Sequence, residues 1–215
     1  WAKMTPNVTR VEDPSRAALA AGCDGLSAIN TIRSVLGVDL ETLRPEPTVE
    51  GHTTPGGYSC QAIRPIALRM VMEIATMIRD EYPDRTLSGI GGIETGEDAA
   101  QFILLGADTV QVCTGVMKMG YGMIHPLLET LESFMDHHGF NGLDDFKGHS
   151  LEYFTTHADL VRIQAEARQT ARAESEARRV AAATADQAGT KEMIRADADW
   201  SGDDFVQQSD ALARG

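Results

Sequence analysis

The sequence predicts an α/β fold, the C-terminal half of a (β/α)8 barrel followed by a helical tail. Three observations predict it. Short apolar strands alternate with helices of about 10 to 20 residues, the pattern of parallel βαβ units. Four such units are visible, half the number in a barrel. The residues that suggest binding chemistry all follow the C-terminal end of a strand, the face on which these barrels hold their ligands.

Residues 1–4 (WAKM) form the first strand, stopped by the turn signal Thr5-Pro6-Asn7. Asp13 as N-cap and Pro14 at the first helical position open an Ala-rich helix that ends on Gly22. Residues 24–29 (DGLSAI) are the second strand, closed by Asn30-Thr31. From Ile32 to Ser59 no helical periodicity holds, and Pro45, Pro47, Pro55 and Gly56-Gly57 predict a long, partly extended loop. A helix follows over 61–82, with Pro65 in its first turn and Ile66, Met70, Ile74 and Ile78 on one face. Residues 86–90 are a strand, 95–105 a helix capped by Thr95, and 108–113 a strand. Helices over 122–138 and 143–147 complete a half-barrel of residues 1–148.

Beyond it the composition shifts. Residues 151–215 hold 15 alanines, 8 basic and 12 acidic residues and no strand pattern. The run from Leu151 reads as one long, polar helix, interrupted by Gly189. Trp200, Phe205, Val206 and Leu212 lie in acidic surroundings near the end, as a docking segment or a frayed terminus. The tail, 149–215, is expected to be helical and partly disordered.

Composition excludes several function classes. A net charge of −13 and 42% hydrophobic residues describe an acidic globular chain with a sizeable core and no case for nucleic acid or anionic membranes. No apolar run approaches the roughly 18 residues that span a bilayer. The N-terminus carries no signal-peptide pattern, so the default location is cytoplasmic. Cys23, Cys60 and Cys113 are isolated, which argues against an iron–sulfur or zinc site and for reduced thiols. The chain opens inside a strand without an initiator Met and reads as a fragment.

Two motifs carry the chemistry. Gly91-Gly92 closes one strand and Cys113-Thr114-Gly115 the next. Small residues there let backbone N–H groups approach a ligand, and the last two strands of a barrel commonly hold a phosphate. The structural alternative is a pair of tight turns. Lys3, in the middle of a short strand, is costly to bury without an anionic partner; at a barrel mouth that partner can be a flavin ring. A frayed chain start is the other reading. Asn30 offers a donor and an acceptor together, which suits a cyclic imide, or else closes an Asx-type turn. Ser59 and Cys60 precede a helix start and make a second anion-binding candidate, with Arg64 and Arg69 either pairing with phosphate or lying on the helix surface.

In this order KMTPN, SAINT, GGYS-QAIRPIAL, GIGGIET and TVQVCTGVM resemble the flavin barrel of the dihydropyrimidine dehydrogenases, a branch of the dihydroorotate dehydrogenase-like barrels. The resemblance covers about residues 1–148 and implies FMN as cofactor. It implies that Lys3 contacts the flavin ring, that Asn30 and Thr31 contact flavin and pyrimidine, and that Ser59, Cys60, Ile90, Gly91, Gly92, Cys113 and Thr114 hold the cofactor. The implied reaction is reduction of the 5,6 double bond of uracil or thymine. Electrons from NAD(P)H would arrive through a partner subunit carrying FAD and iron–sulfur clusters, since no Rossmann fingerprint appears here. The family's general acid is a cysteine in the first half of the barrel, so none of the three cysteines is assigned that role. The family has glycine where Cys60 stands, so a β-carbon there is expected to crowd the cofactor.

Two other readings stand beside this one: a dihydroorotate dehydrogenase-like barrel acting on another substrate, and an inactive half-barrel. Half a closed sheet leaves edges unpaired, so an oligomer is expected.

Overall fold

The computed structural model describes residues 1–187, with 181–187 described as helical backbone only. Its centre is a parallel four-stranded sheet in the order β1 (Ala2–Met4), β2 (Gly25–Ala28), β7 (Thr86–Ile90), β8 (Thr109–Gln111). Four smaller strands intervene in the chain: β3 (Ile32–Ser34), β4 (Gly37–Asp39), β5 (Arg44–Glu46) and β6 (Gly56–Tyr58). The helices are α1 (Glu12–Ala20), α2 (Arg64–Glu81), α3 (Gly96–Leu104), α4 (Thr114–Met119), α5 (Ile124–His138) and α6 (His157–Gln187).

Parallel pairing follows from the crossovers, since each strand is returned to the same edge by a helix. The register places Lys3 opposite Ser27, Ser27 opposite Ser88, and Ser88 opposite Thr109. One sheet face is therefore polar. Gln111 Nε2 donates to Ser27 Oγ at 2.9 Å and to Ser88 Oγ at 2.8 Å. The alternate residues, Leu26, Ala28 and Leu87, are buried in the core with α2 and α3. This is the architecture predicted from the sequence: half of a (β/α)8 barrel with its helices on the outside.

Helix α2 is the main support of the core, burying Ala67, Met70, Val71, Ile74, Ala75 and Ile78. Each fully buried Ile or Met contributes roughly 1.5–3 kcal/mol. Ile66, expected on that face, is 39% exposed. Met70, Ile74 and Ile78 of the expected face are buried, and in the first turn Ala67 takes the inward position instead of Ile66.

Other boundaries moved for identifiable reasons. Helix α1 starts at Glu12 with Val11 as N-cap, rather than at Pro14 with Asp13 as N-cap. Val11 is fully buried and anchors the helix entry, and Ser15 Oγ donates back to Val11 O at 2.6 Å. The stretch 32–58 is not a plain loop but two antiparallel pairs, β3 with β6 and β4 with β5. Its side chains are mostly exposed, so it shows none of the apolar alternation by which strands are recognised. Gly56 and Gly57, expected within the long loop, form a strand; a Cβ on Gly57 would fall 2.3 Å from Thr31 Oγ1.

The first compact unit runs from Trp1 to Phe154 and the second begins at Thr155. The expected single helix from Leu151 is instead a 3-10 turn, His149–Tyr153, a break, and then α6. Thr156 makes the break: its Oγ1 accepts from Asp159 N at 3.1 Å and donates to Asp159 Oδ2 at 2.7 Å, a helix cap. Gly189, Trp200, Phe205, Val206 and Leu212 lie outside the described residues. No described helix is long and apolar enough to cross a membrane.

Candidate cofactor site

Three of the four parallel strands end in residues that open onto one cavity of about 160 Å³, and β1 adds Lys3. Its walls come from five separated segments: Lys3; Ile29 to Thr31 after β2; Ser59, Cys60 and Ile63 before α2; Ile90 to Glu94 after β7; and Gln111 with Cys113 to Gly115 around the end of β8. Two backbone bonds extend the sheet into this rim: Ile29 N donates to Ile90 O and Asn30 N to Met4 O, both at 2.9 Å.

The glycine pair decides how closely two of the walls approach. Gly92 has φ +77°, and a Cβ built on it would lie 2.7 Å from Cys60 O and 2.8 Å from Gln61 Cα. A Cβ on Gly91 would lie 2.6 Å from Ala67 Cβ. Only residues without side chains let the loop after β7 close against the 59–61 segment. What results is a small-walled cradle with hydroxyls on the opposite side, where Ser59 Oγ and Thr114 Oγ1 are 3.4 Å apart. Backbone N–H groups and hydroxyls with no bulky side chain between them suit a phosphate ester, so the residues present fit the phosphate of FMN.

Asn30 Oδ1 accepts from Thr31 N at 2.8 Å, so no Asx-type turn forms and the amide N–H2 has no acceptor among the described residues. Thr31 is placed by its carbonyl, which accepts from Asn7 Nδ2 at 3.5 Å, and by Gly57 behind it. Lys3 is exposed at the cavity rather than buried.

Arg64 and Arg69 are both engaged elsewhere. Arg64 Nη1 donates to the buried Asp98 carboxylate, and Arg69 Nη1 to both oxygens of Glu73 at 2.6 and 2.8 Å. Cys60 adopts φ +71° and ψ −161°, a region that favours glycine, and its Sγ lies 3.4 Å from Glu94 Oε1. The side chain is thus taken up by Glu94. Backbone strain of this kind costs about 1–3 kcal/mol. Cys60→Gly is expected to raise stability by about 1 kcal/mol, read as a shift of the urea midpoint. A loss of stability on that change would mean that the contact with Glu94 outweighs the strain.

Sequence reasoning missed three polar groups here. Gln111 lies on β8 and lines the cavity; a polar residue inside the apolar run TVQVC was the available signal. Glu94 and Lys118 form an ion pair across 24 residues, with no local pattern to reveal it. Lys118 chiefly, by hydrogen bonding, holds the Glu94 carboxyl below the usual range, and Cys60 adds to this against the opposing effect of burial. Glu94 raises Lys118 in return.

Comparison with known proteins agrees with this geometry. Residues 1–135 match the family described as Dihydroorotate dehydrogenase. The chain is 53% identical over 213 residues to the chloroplastic dihydropyrimidine dehydrogenase (NADP(+)) of Arabidopsis thaliana, covering 99% of this chain and 46% of that protein. It is 43% identical over 147 residues to the NAD-dependent dihydropyrimidine dehydrogenase subunit PreA of Escherichia coli K12, covering 68% of this chain and 35% of the relative. The catalytic subunit of dihydroorotate dehydrogenase B (NAD(+)) from Pyrococcus abyssi is 34% identical over 151 residues, 70% of this chain and 47% of its own. The chain therefore spans about a third to a half of the length of these relatives. With its parallel half-barrel, its glycine cradle after β7 and a family match that covers most of the first compact unit, the chain belongs to the dihydroorotate dehydrogenase family.

Proposed function

We propose that this chain forms the FMN-holding half of a flavin-dependent dihydropyrimidine dehydrogenase, reducing the 5,6 double bond of uracil or thymine. One observation carries the reading. Lys3, Asn30, Thr31, Ser59, Cys60, Ile90, Gly91, Gly92, Cys113 and Thr114, the residues the family resemblance assigns to cofactor and substrate, all line a single cavity. They come from five segments that only the fold brings together.

Bound there, FMN would supply the hydride-transfer chemistry. The chain's own residues bind and orient. Gly91, Gly92, Ser59 and Thr114 form the phosphate cradle, and Lys3 offers positive charge beside the ring. The Asn30 amide orients an imide by donating with its N–H2. Gln111, held by Ser27 and Ser88, lines the inner wall. The proton donor comes from outside this chain, from the preceding half of the barrel. A partner subunit with FAD, iron–sulfur clusters and an NAD(P) site delivers electrons; the E. coli relative is itself named a subunit. Cys23, Cys60 and Cys113 are free thiols, which suits a reducing compartment, the cytoplasm or a plastid.

The test is a visible spectrum and turnover assays on the complete protein as its source makes it. A bound flavin and consumption of uracil or thymine are expected. Asn30→Ala should raise the pyrimidine KM about tenfold, the loss of one hydrogen bond to the substrate. Absence of flavin from the purified protein overturns the proposal. Turnover of dihydroorotate alone would favour the second family reading, which the P. abyssi relative supports.

A further inference from the structure

Glu94 and Lys118 have no part in the roles assigned above, yet one of them is built into the wall of the cavity. Glu94 follows Gly91-Gly92-Ile93 and lines the site. Its side chain is 10% exposed. Lys118 Nζ donates to both of its oxygens, at 2.8 and 3.0 Å. Gln61 Nε2 donates to Oε2 at 2.8 Å, and the Cys60 thiol to Oε1 at 3.4 Å. The carboxylate thus joins three segments: the 60–61 turn, the loop after β7, and α4.

Placement on α4 matters. Lys118 comes four residues after Thr114, one helical turn along the same face. Anchoring Lys118 on Glu94 therefore sets the rotation of α4, and with it the direction in which Thr114 meets Ser59.

This bracing has an electrostatic cost. Glu94 is ionised at neutral pH, since its carboxyl lies below the usual range. A carboxylate in the wall of a cavity that receives a phosphate dianion repels it. Arg64, a second cation close to Glu94, is paired with Asp98, and Lys3 lies on the β1 segment of the cavity wall. Lys118 is the group in direct contact with Glu94 that carries the opposite charge.

We propose that Lys118 is a positioning and selectivity residue: by neutralising Glu94 it lets a carboxylate brace the cradle while the pocket still prefers a phosphorylated flavin. The inference rests on the FMN reading above. It goes beyond that reading by assigning phosphate selectivity to a residue that does not itself line the cavity.

The experiment compares FMN with riboflavin, which lacks the phosphate, by fluorescence titration of flavin-stripped complete protein. Lys118→Met is expected to weaken FMN about 10- to 100-fold while riboflavin changes less than about twofold. Lys118→Arg, which keeps the charge, should stay within about threefold of wild type for FMN. The double variant Lys118→Met/Glu94→Gln should bind FMN several-fold more tightly than Lys118→Met, yet short of wild type, because the repelling charge is gone but so is the anchor of α4. Raising the salt from about 0.05 M to about 0.5 M should narrow the Lys118→Met defect.

Equal losses of FMN and riboflavin in Lys118→Met would overturn the proposal and leave a purely structural ion pair. A double variant as weak for FMN as Lys118→Met would overturn it too, showing that Lys118 acts on the phosphate itself. A wild-type protein that binds neither flavin fails at the underlying FMN reading, a different result from either of these.

Discussion

Gly92→Val is expected to abolish flavin retention and to lower stability by about 3 kcal/mol or more. Two independent penalties combine. The backbone sits at φ +77°, where a β-branched side chain is strained. The new Cβ would also meet backbone at 2.7 and 2.8 Å, Cys60 O and Gln61 Cα, which have no rotamer into which to retreat. Relief requires the 59–61 segment to move away from β7, and that movement opens the cradle between Gly92 and Ser59. The measurement is the absorbance of flavin remaining after desalting, together with the urea midpoint of the complete protein. Gly92→Ala separates the two penalties, because it keeps the close contact but not the β-branching. Flavin retained at wild-type level in Gly92→Val would remove the glycine pair from the binding site.

Asp98→Ala should cost about 3 kcal/mol or more, the usual result of stripping one partner from a buried ion pair. Asp98 is 6% exposed and accepts from Arg64, from Glu94 N at 3.0 Å and from Thr95 N at 3.2 Å. Thr95 Oγ1 accepts in turn from Asp98 N at 3.2 Å, so the two residues form a capping box at the start of α3. Alanine would leave a half-buried guanidinium and two backbone N–H groups unpaired. Asp98→Asn keeps an acceptor oxygen for the backbone and should cost only about 1–2 kcal/mol. Denaturant midpoints of the two variants decide the point; a loss below about 1 kcal/mol for Asp98→Ala would mean that Arg64 and the loop find other partners. Because Glu94 N is one of the orphaned donors, flavin affinity should fall along with stability.

The parts of this molecule legible in the sequence are those that local chemistry decides. The strand over 86–90 and the Thr95 cap were read correctly because an apolar run and an N-cap hydroxyl act within a few residues of themselves. Gly91-Gly92 stood out as small residues closing a strand, while their positive φ angles are set by the fold around them. The long excursion from Ile32 to Tyr58 was not legible as strands. Its two pairs are mostly exposed and carry no buried face, so no alternation marks them. The entry of α1 was misplaced by two residues because Val11, buried in the core, outweighed the capping preference of Asp13.

By itself, then, the sequence determined the class of fold, the order of the βα units and the small residues that let the loop after β7 close on the 59–61 segment. Periodicity, capping and the small size of glycine operate over a turn or a strand, and a chain carries them wherever it goes. Tertiary structure alone decided which side chains meet. It gave Arg64 to Asp98 rather than to a ligand, set Gln111 against Ser27 and Ser88, and brought Lys118 onto Glu94 beside Cys60 and Gln61. Those partners are separated by 23 to 84 residues. Their encounter depends on the register of four parallel strands and on the packing of α2 and α4, which no local pattern records.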